Sequence, residues 1–181
     1  MKPPEVRILA GRWKGRRLEA GASARPTSSK ARQAIFSILA GRIGGARVLD
    51  LYAGSGAVGL EAVSRGALSA VLVEVDAVAL RRSVERIGAG PGETRIVEAS
   101  VGPAVRALVR AGERFDLVFA DPPYASADAV GELVEAAALL RDGGVLVLQQ
   151  DGGAPAPGLA GLELLDRREY GRNVFCFYGM R

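Results

Sequence analysis

The chain has 181 residues, of which 49% are apolar and 24% are charged, and its formal net charge is +4. This length suits one domain with a well-filled core and leaves no room for a second large domain. With no histidine and a single cysteine, the chain lacks the parts needed for histidine-dependent hydrolysis, for a disulfide framework and for a Cys-rich zinc site, so we expect no metal.

The N-terminal stretch "EVRILAGRWKGRRLEA" predicts a short β-hairpin with a basic turn and strands near residues 6–9 and 17–19. Residues 1–47 carry eleven Lys and Arg against two acids, and Trp13 is interleaved among them. A solvated surface is the alternative, but this density favours a nucleic-acid partner, because clustered cations displace counterions from phosphates. The candidate RNA-contacting residues are Arg12, Lys14, Arg16, Arg17, Arg25, Lys30 and Arg32.

A helix is predicted in "ARPTSSKARQAIFSILAGRI", where apolar residues recur at helical spacing, and it ends at Gly44 and Gly45. One of the hydroxyl residues at positions 27, 28 and 29 would cap its N-terminus. The stripe expected to face the core consists of Ala31, Ala34, Ile35, Ile38 and Leu39.

From residue 47 onward, five short apolar strands alternate with helices near 56–65, 77–87, 101–111 and 127–140. The strand segments are "RVLDLY", "AVLVEVD", "TRIVEAS", "FDLVFADPPY" and "GVLVLQQ". This alternation predicts a parallel, doubly wound sheet with helices on both faces. Two last strands, "LELLDRREY" and "NVFCFYG", are joined by "GRN" and predict an antiparallel pair at the sheet edge, with Cys176 buried.

The stretch "DLYAGSGAVGLEA" follows the first of these strands and contains the spacing Gly-x-Gly-x-x-Gly at Gly54, Gly56 and Gly59. That spacing is typical of a dinucleotide site, with Glu74 placed to reach a ribose, but several nucleoside cofactors share ribose recognition. An acid four residues before the first glycine, Asp50, instead resembles the first motif of S-adenosylmethionine-dependent methyltransferases. A purely structural turn is disfavoured, since burying Asp50 without a ligand or partner would be costly.

The stretch "FADPPY" ends the fourth strand of this series. Two prolines restrict the backbone, so the terminus can present the Asp121 carboxylate and the Pro122 carbonyl as fixed acceptors, with the Tyr124 ring set to stack on a planar base. The pair with Pro123 could simply end a strand, but the arrangement resembles the Asp/Asn-Pro-Pro-Tyr/Phe signature of methyltransferases that act on nitrogen. Two acceptors on the hydrogens of the target amine favour a pyramidal nitrogen, and the enzyme then needs mainly to align that nitrogen with the methyl group. The reaction therefore needs no histidine as a general base. The signature leaves adenine N6, cytosine N4, guanine N2 and glutamine amide open.

The whole sequence resembles the bacterial small-subunit ribosomal RNA guanine-N2 methyltransferases of the RsmD type. The segments that carry this resemblance, in the family's order, are "RILAGRWKGRRL", "RPTSSKARQAIFSIL", "VLDLYAGSGAVGLEAVSRGA", "VEVD", "FDLVFADPPY" and "REYGRNVFCFY". The resemblance implies a class I S-adenosylmethionine-dependent methyltransferase fold, Rossmann-like, whose seven-stranded sheet is mostly parallel with an antiparallel last strand. We expect a basic hairpin arm over residues 1–24 and the methyltransferase domain, with its leading helix, over residues 25–181.

The resemblance also assigns site residues and a reaction, methylation of the N2 amine of a guanine in 16S ribosomal RNA. It implies catalytic roles for Asp121, Pro122, Pro123 and Tyr124. The candidate cofactor-binding residues are Asp50, Tyr52, Gly54, Ser55, Gly56, Glu74, Val75 and Ser100. The family's Arg-Pro-Thr segment corresponds to residues 25–27, but this chain has Ser29 and Gln33 where the family commonly has acids.

The expected partner is 16S ribosomal RNA or the assembling small subunit. We expect the protein to be a monomer and to be located in the cytoplasm. No apolar run is long enough to cross a bilayer, and the N-terminal stretch lacks the features of a signal peptide. Two alternatives stay open. One is amine methylation of DNA or tRNA, and the other is a nucleic-acid-binding module with a degenerate cofactor site.

Overall fold

The computed structural model describes residues 6–19, 28–90, 92–123 and 128–181. The predictions for Arg25 and Tyr124 therefore lie outside the described residues. The strands are β1 (Val6–Arg7), β2 (Arg17–Leu18), β3 (Arg47–Leu51), β4 (Ser69–Glu74), β5 (Thr94–Glu98), β6 (Phe115–Ala120), β7 (Leu140–Asp151), β8 (Leu162–Tyr170) and β9 (Asn173–Met180). The helices are α1 (Ser29–Ile38), α2 (Ala40–Ile43), α3 (Ala57–Ser64), α4 (Val78–Ile87), α5 (Val101–Arg110) and α6 (Ala129–Ala136), with a 3₁₀ turn at Ala137–Leu139.

Seven strands form the central sheet in the order β5-β4-β3-β6-β7-β9-β8. The pairs from β5 to β7 are parallel, and β9 lies antiparallel between β7 and β8. This arrangement confirms the predicted fold class, including the antiparallel last strand. Side chains alternate between two cores, so that Val48 packs on the α3 side and Leu49 on the α5 side. Cys176 is fully buried in β9, as predicted.

Two helix predictions differ from the structure. The single helix predicted up to Gly44 breaks at Leu39 into α1 and α2. Its predicted stripe is wrong at Ile38, which is 43% exposed, while Phe36 is buried in its place. Toward the C-terminus, α6 gives way to the 3₁₀ turn before Leu140, so β7 begins four residues before the predicted Gly144. The α1 N-cap is Ser28, whose hydroxyl accepts a hydrogen bond from the Ala31 N–H.

The hairpin β1–β2 packs against the body rather than projecting from it. The Trp13 side chain is 6% exposed within the same core as α3, so this residue, interleaved among the cations in the sequence, gives no support to the predicted nucleic-acid contact. The backbone N–H of Trp13 donates to the Ser64 hydroxyl at 3.0 Å, and the backbone N–H of Arg12 donates to the Ser64 carbonyl at 2.9 Å. Because Ser64 ends α3, the hairpin turn lies where the strands begin, at what we call the amino-terminal edge of the sheet.

None of the helices within the described ranges is long and apolar enough to cross a membrane.

Candidate functional site

Three acidic side chains meet at the opposite edge of the sheet, where β3, β4 and β6 end. We call it the carboxyl edge, and it is where ligands of open parallel sheets bind. Asp50 is the fourth residue of β3, Glu74 ends β4 and Asp121 directly follows β6. Glu74 and Asp121 are close enough to Asp50 to disfavour its ionisation. The structure thus brings together the principal residues that the two sequence motifs predicted.

Asp50 lies beneath the glycine turn, 4% exposed. Its Oδ2 atom accepts a hydrogen bond from the Gly59 N–H at 2.8 Å. Glycine at 59 permits this approach, because a Cβ there would lie 3.1 Å from the Asp50 Oδ2 atom and 2.2 Å from the Leu72 Cδ2 atom. The pKa of Asp50 is raised to about 7, mainly by burial and also by the negative charges of Asp121 and Glu74, while the hydrogen bond from the Gly59 N–H opposes the rise.

Glu74 fixes the glycine turn from the neighbouring strand. One carboxylate oxygen accepts from the Gly54 N–H at 2.7 Å, and the other accepts from the Val75 N–H at 2.9 Å. The turn has a left-handed backbone at Gly54 (φ +55°) and at Gly56 (φ +78°), and a Cβ at Gly56 would also collide with Leu80. The site therefore has a preformed cradle, in which Gly54 has open space above its Cα.

The remaining predicted cofactor residues surround this cradle. Val75 is 70% exposed just beyond Glu74. Ser55 is buried within the turn, and Ser100 is exposed as the N-cap residue of α5, where its hydroxyl makes no cap hydrogen bond. Tyr52 is half-buried, and it is the one non-glycine residue with positive φ among those the structure describes, at +60°.

Sequence reasoning did not find the partner of Tyr52. Its hydroxyl donates to Glu132 on α6, 80 residues away, and no spacing rule connects the two positions. Burial raises the pKa of Tyr52, and the hydrogen bond to Glu132 raises it further. In the segment predicted to be catalytic, Asp121 and Pro122 are half-buried and Pro123 is exposed at the carboxyl edge.

The predicted RNA-contacting cations separate into three environments. Arg32 is wrong as a surface cation: its side chain is 1% exposed, and its Nε atom pairs with Glu61 at 2.8 Å. The basic turn lies at the amino-terminal edge, remote from Asp121. Lys30 is exposed in the first turn of α1, two residues before the buried Arg32.

Two cations of the hairpin turn bind other residues of the protein. Arg12 pairs with Glu93 and stacks over the Trp13 ring at 4.1 Å. Arg16 donates to the Ile87 carbonyl at 2.7 Å, at the C-terminal end of α4. Lys14 and Arg17 are exposed beside them. The hairpin turn therefore carries clustered positive charge, but two of its side chains also hold it on the body.

The donor set of the site distinguishes between cofactors. Three carboxyl groups, those of Asp50, Glu74 and Asp121, lie close to one another beside the cradle. Such a site suits a cationic ligand and disfavours the pyrophosphate of a dinucleotide. No group of three or more potential metal-ligating residues occurs in the part of the chain that the structure describes.

Comparison with known proteins extends this picture to the whole chain. A family model described as Conserved hypothetical protein 95 matches residues 6–179. The chain is 37% identical over 145 residues to Ribosomal RNA small subunit methyltransferase D of Escherichia coli (strain K12), covering 78% of this chain and 70% of that protein. It is 33% identical over 184 residues to Putative rRNA methyltransferase YlbH of Bacillus subtilis (strain 168), covering 97% and 100%. A solved hypothetical protein from Thermus thermophilus has a TM-score of 0.84 and 40% identity, covering 97% and 99%.

Proposed function

Since the chain belongs to the family described as Conserved hypothetical protein 95, the RsmD-type methyltransferases, we propose that it methylates the N2 amine of a guanine in small-subunit ribosomal RNA. The observation that carries the proposal is the convergence of Asp50, Glu74 and Asp121 at the carboxyl edge of the sheet, beside the glycine cradle. The two relatives named above support ribosomal RNA as the substrate class through the activities that their names state.

S-adenosylmethionine is the cofactor, and it supplies an electrophilic methyl group on a cationic sulfonium. The Glu74 carboxylate at the end of β4 would accept hydrogen bonds from its ribose hydroxyls, while Gly54 and Gly56 keep the turn free of side chains. Asp50 supports the turn from below and adds negative charge toward a positive ligand. Ser100 and Val75 complete the rim as exposed groups.

The chain holds the target amine with the segment that follows β6. The Asp121 carboxylate and the Pro122 carbonyl would accept the two amine hydrogens, which favours a pyramidal nitrogen with an available lone pair. Tyr124 would stack on the base and so fix its plane. After transfer the surplus proton leaves through Asp121 or water. The chain therefore works mainly by alignment, which is consistent with the absence of histidine from its sequence.

The test is methylation by the purified protein with S-adenosylmethionine, on naked 16S RNA and on assembled small subunits as separate substrates, with the product nucleoside identified by mass spectrometry. We expect N2-methylguanosine, and we expect the Asp121→Ala variant to lose at least a hundredfold in turnover while binding S-adenosylhomocysteine almost as the wild type does.

Methylated adenine or cytosine would overturn the guanine-N2 assignment. Product formed on DNA or tRNA in preference to 16S RNA would overturn the ribosomal substrate. Failure of S-adenosylmethionine to bind in calorimetry, with binding of NAD instead, would contradict the cofactor.

A further inference from the structure

Glu132 connects three segments that each contribute to the site. One carboxylate oxygen accepts the hydrogen bond from the Tyr52 hydroxyl, in the turn that follows β3. The other accepts from the Gly102 N–H at 2.9 Å, at the start of α5 and two residues after Ser100. Glu132 itself lies in the first turn of α6, the helix that follows the Asp121–Pro123 segment.

The geometry at this junction leaves little room for other residues. Tyr52 has a left-handed backbone at φ +60°, a conformation that a bulky side chain adopts only when its surroundings hold it there. A Cβ at position 102 would lie 3.1 Å from the Glu132 carboxylate, so glycine permits the close approach of α5 and α6. Both contacts use the same carboxylate, and each one constrains the other.

We propose that Glu132 is a positioning residue of the methyl-transfer site, which fixes Tyr52, and through it the cofactor turn, relative to the segment that receives the target base. The proposal rests on the function proposed above. Glu132 does not contact the reacting atoms; it sets the position of Tyr52 from one side and anchors the start of α6 from the other. Loss of the carboxylate should therefore loosen the turn that binds the cofactor more than it destabilises the fold.

Glu135 provides a matched control on the same helix. It lies three residues further along α6, is exposed, and pairs with Arg106 at a distance of 3.2 Å. A Glu-to-Ala change there removes an acid and an ion pair from the same element but leaves both hydrogen bonds of Glu132, to Tyr52 and to Gly102, in place. Exposed ion pairs contribute little to stability.

The experiment compares Glu132→Ala, Glu132→Gln, Tyr52→Phe and Glu135→Ala by calorimetric binding of S-adenosylhomocysteine, thermal unfolding and steady-state methylation. We expect Glu132→Ala and Tyr52→Phe to weaken binding about tenfold, because a hydrogen bond to a charged group is lost in each. Glu132→Gln should recover most of the affinity, since an amide oxygen can accept from Gly102 while its NH₂ group donates to the Tyr52 oxygen. Glu135→Ala should bind as the wild type does.

The double variant Tyr52→Phe/Glu132→Ala should bind no more weakly than Glu132→Ala alone, because both changes break the same contact. Wild-type affinity in Glu132→Ala, or equal losses in Glu132→Ala and Glu135→Ala, would overturn the positioning role while leaving the methyltransferase function intact. A loss of affinity that merely parallels a fall in melting temperature would also overturn it, since that is the result of a structural role. A wild-type protein that binds no cofactor would instead overturn the proposed function itself.

Discussion

Asp50 is a residue of the candidate site that lowers the stability of the folded protein when its carboxyl group is ionised. Its pKa is raised to about 7, mainly by burial, whereas the same group in the unfolded chain titrates near its ordinary value of 3.8. The folded state therefore binds the proton more tightly than the unfolded state, and the contribution of Asp50 to stability is lost as pH rises from about 4 through about 7. Above pH 7 the ligand-free protein carries a buried negative charge beneath its glycine turn.

We predict that Asp50→Asn stabilises the ligand-free protein at pH 8 and has a much smaller effect at pH 5. Asparagine keeps an oxygen that can accept from the Gly59 N–H but removes the buried charge. The gain at pH 8 should reach at least about 1 kcal/mol, equivalent to about 2–4 °C in melting temperature for a chain of this size. Thermal unfolding at the two pH values measures the difference. An equal effect at both would show that Asp50 titrates far below 7.

At the scale of the element, the Arg32–Glu61 pair joins α1 to α3. Both side chains are almost fully buried, at 1% and 0% exposure, and Glu61 also accepts from Arg65 at 2.6 Å and from the Leu9 N–H. Arg32 in turn donates to the Arg7 carbonyl in β1. One carboxylate thus connects the hairpin, the leading helix and the helix that follows the glycine turn.

We predict that Arg32→Met destabilises the protein by about 3–5 kcal/mol, because it leaves part of the Glu61 charge buried without its partner. Chemical denaturation measures the change. The exposed Arg81–Glu98 pair is the control, and Arg81→Met should have a much smaller effect on stability. In the double variant Arg32→Met/Glu61→Gln, part of the lost stability should return; strict additivity would indicate that the two side chains are not coupled.

The same elements show what the sequence could predict. The alternation of strands and helices and the antiparallel pair at the sheet edge were predictable because apolar runs and short connections are local properties of a sequence. Asp50 and Glu74 could be assigned to one site because the carboxyl ends of parallel strands meet at one edge of the sheet. The burial of Arg32 and Trp13 was not predictable, since their partners, Glu61 and Ser64, lie 29 and 51 residues away in the chain. A run of cations in a sequence predicts surface charge, and the sequence does not show whether one of these cations pairs with a buried acid.

At the scale of the molecule, the cations proposed to bind RNA lie on two separate elements. Lys30 is exposed in the first turn of α1, and Lys14 is exposed in the hairpin turn at the amino-terminal edge. Strands of five or six residues separate that edge from the carboxyl edge, where Asp121 lies, by about 17–20 Å. Neither lysine forms an ion pair with another described residue, so charge reversal at either should leave folding intact.

We predict that Lys30→Glu weakens binding both to a short RNA hairpin that contains the target guanine and to the complete 16S RNA, whereas Lys14→Glu weakens binding to the complete RNA alone. Phosphate contacts control affinity and salt dependence without reading bases, so each lost contact should reduce the salt slope by about 0.7–0.9 while saturated turnover is unchanged. Filter binding across a salt series measures both quantities. If neither variant differs from wild type on either RNA, these cations are solubilising charges.

The way the hairpin docks also determines when it can form during protein synthesis. Its two strands have only two residues each, too few for an isolated ribbon to persist in water. The contacts that hold it span 51 residues from Trp13 to Ser64 and 71 from Arg16 to Ile87. Residues 6–19 leave the ribosome before α3 and α4 are synthesised, so we expect them to emerge as an unfolded, cationic segment that docks only after the second β-α unit is complete. On this expectation the hairpin forms late in folding, and the nascent chain carries its polyanion-attracting charge before it has a cofactor site.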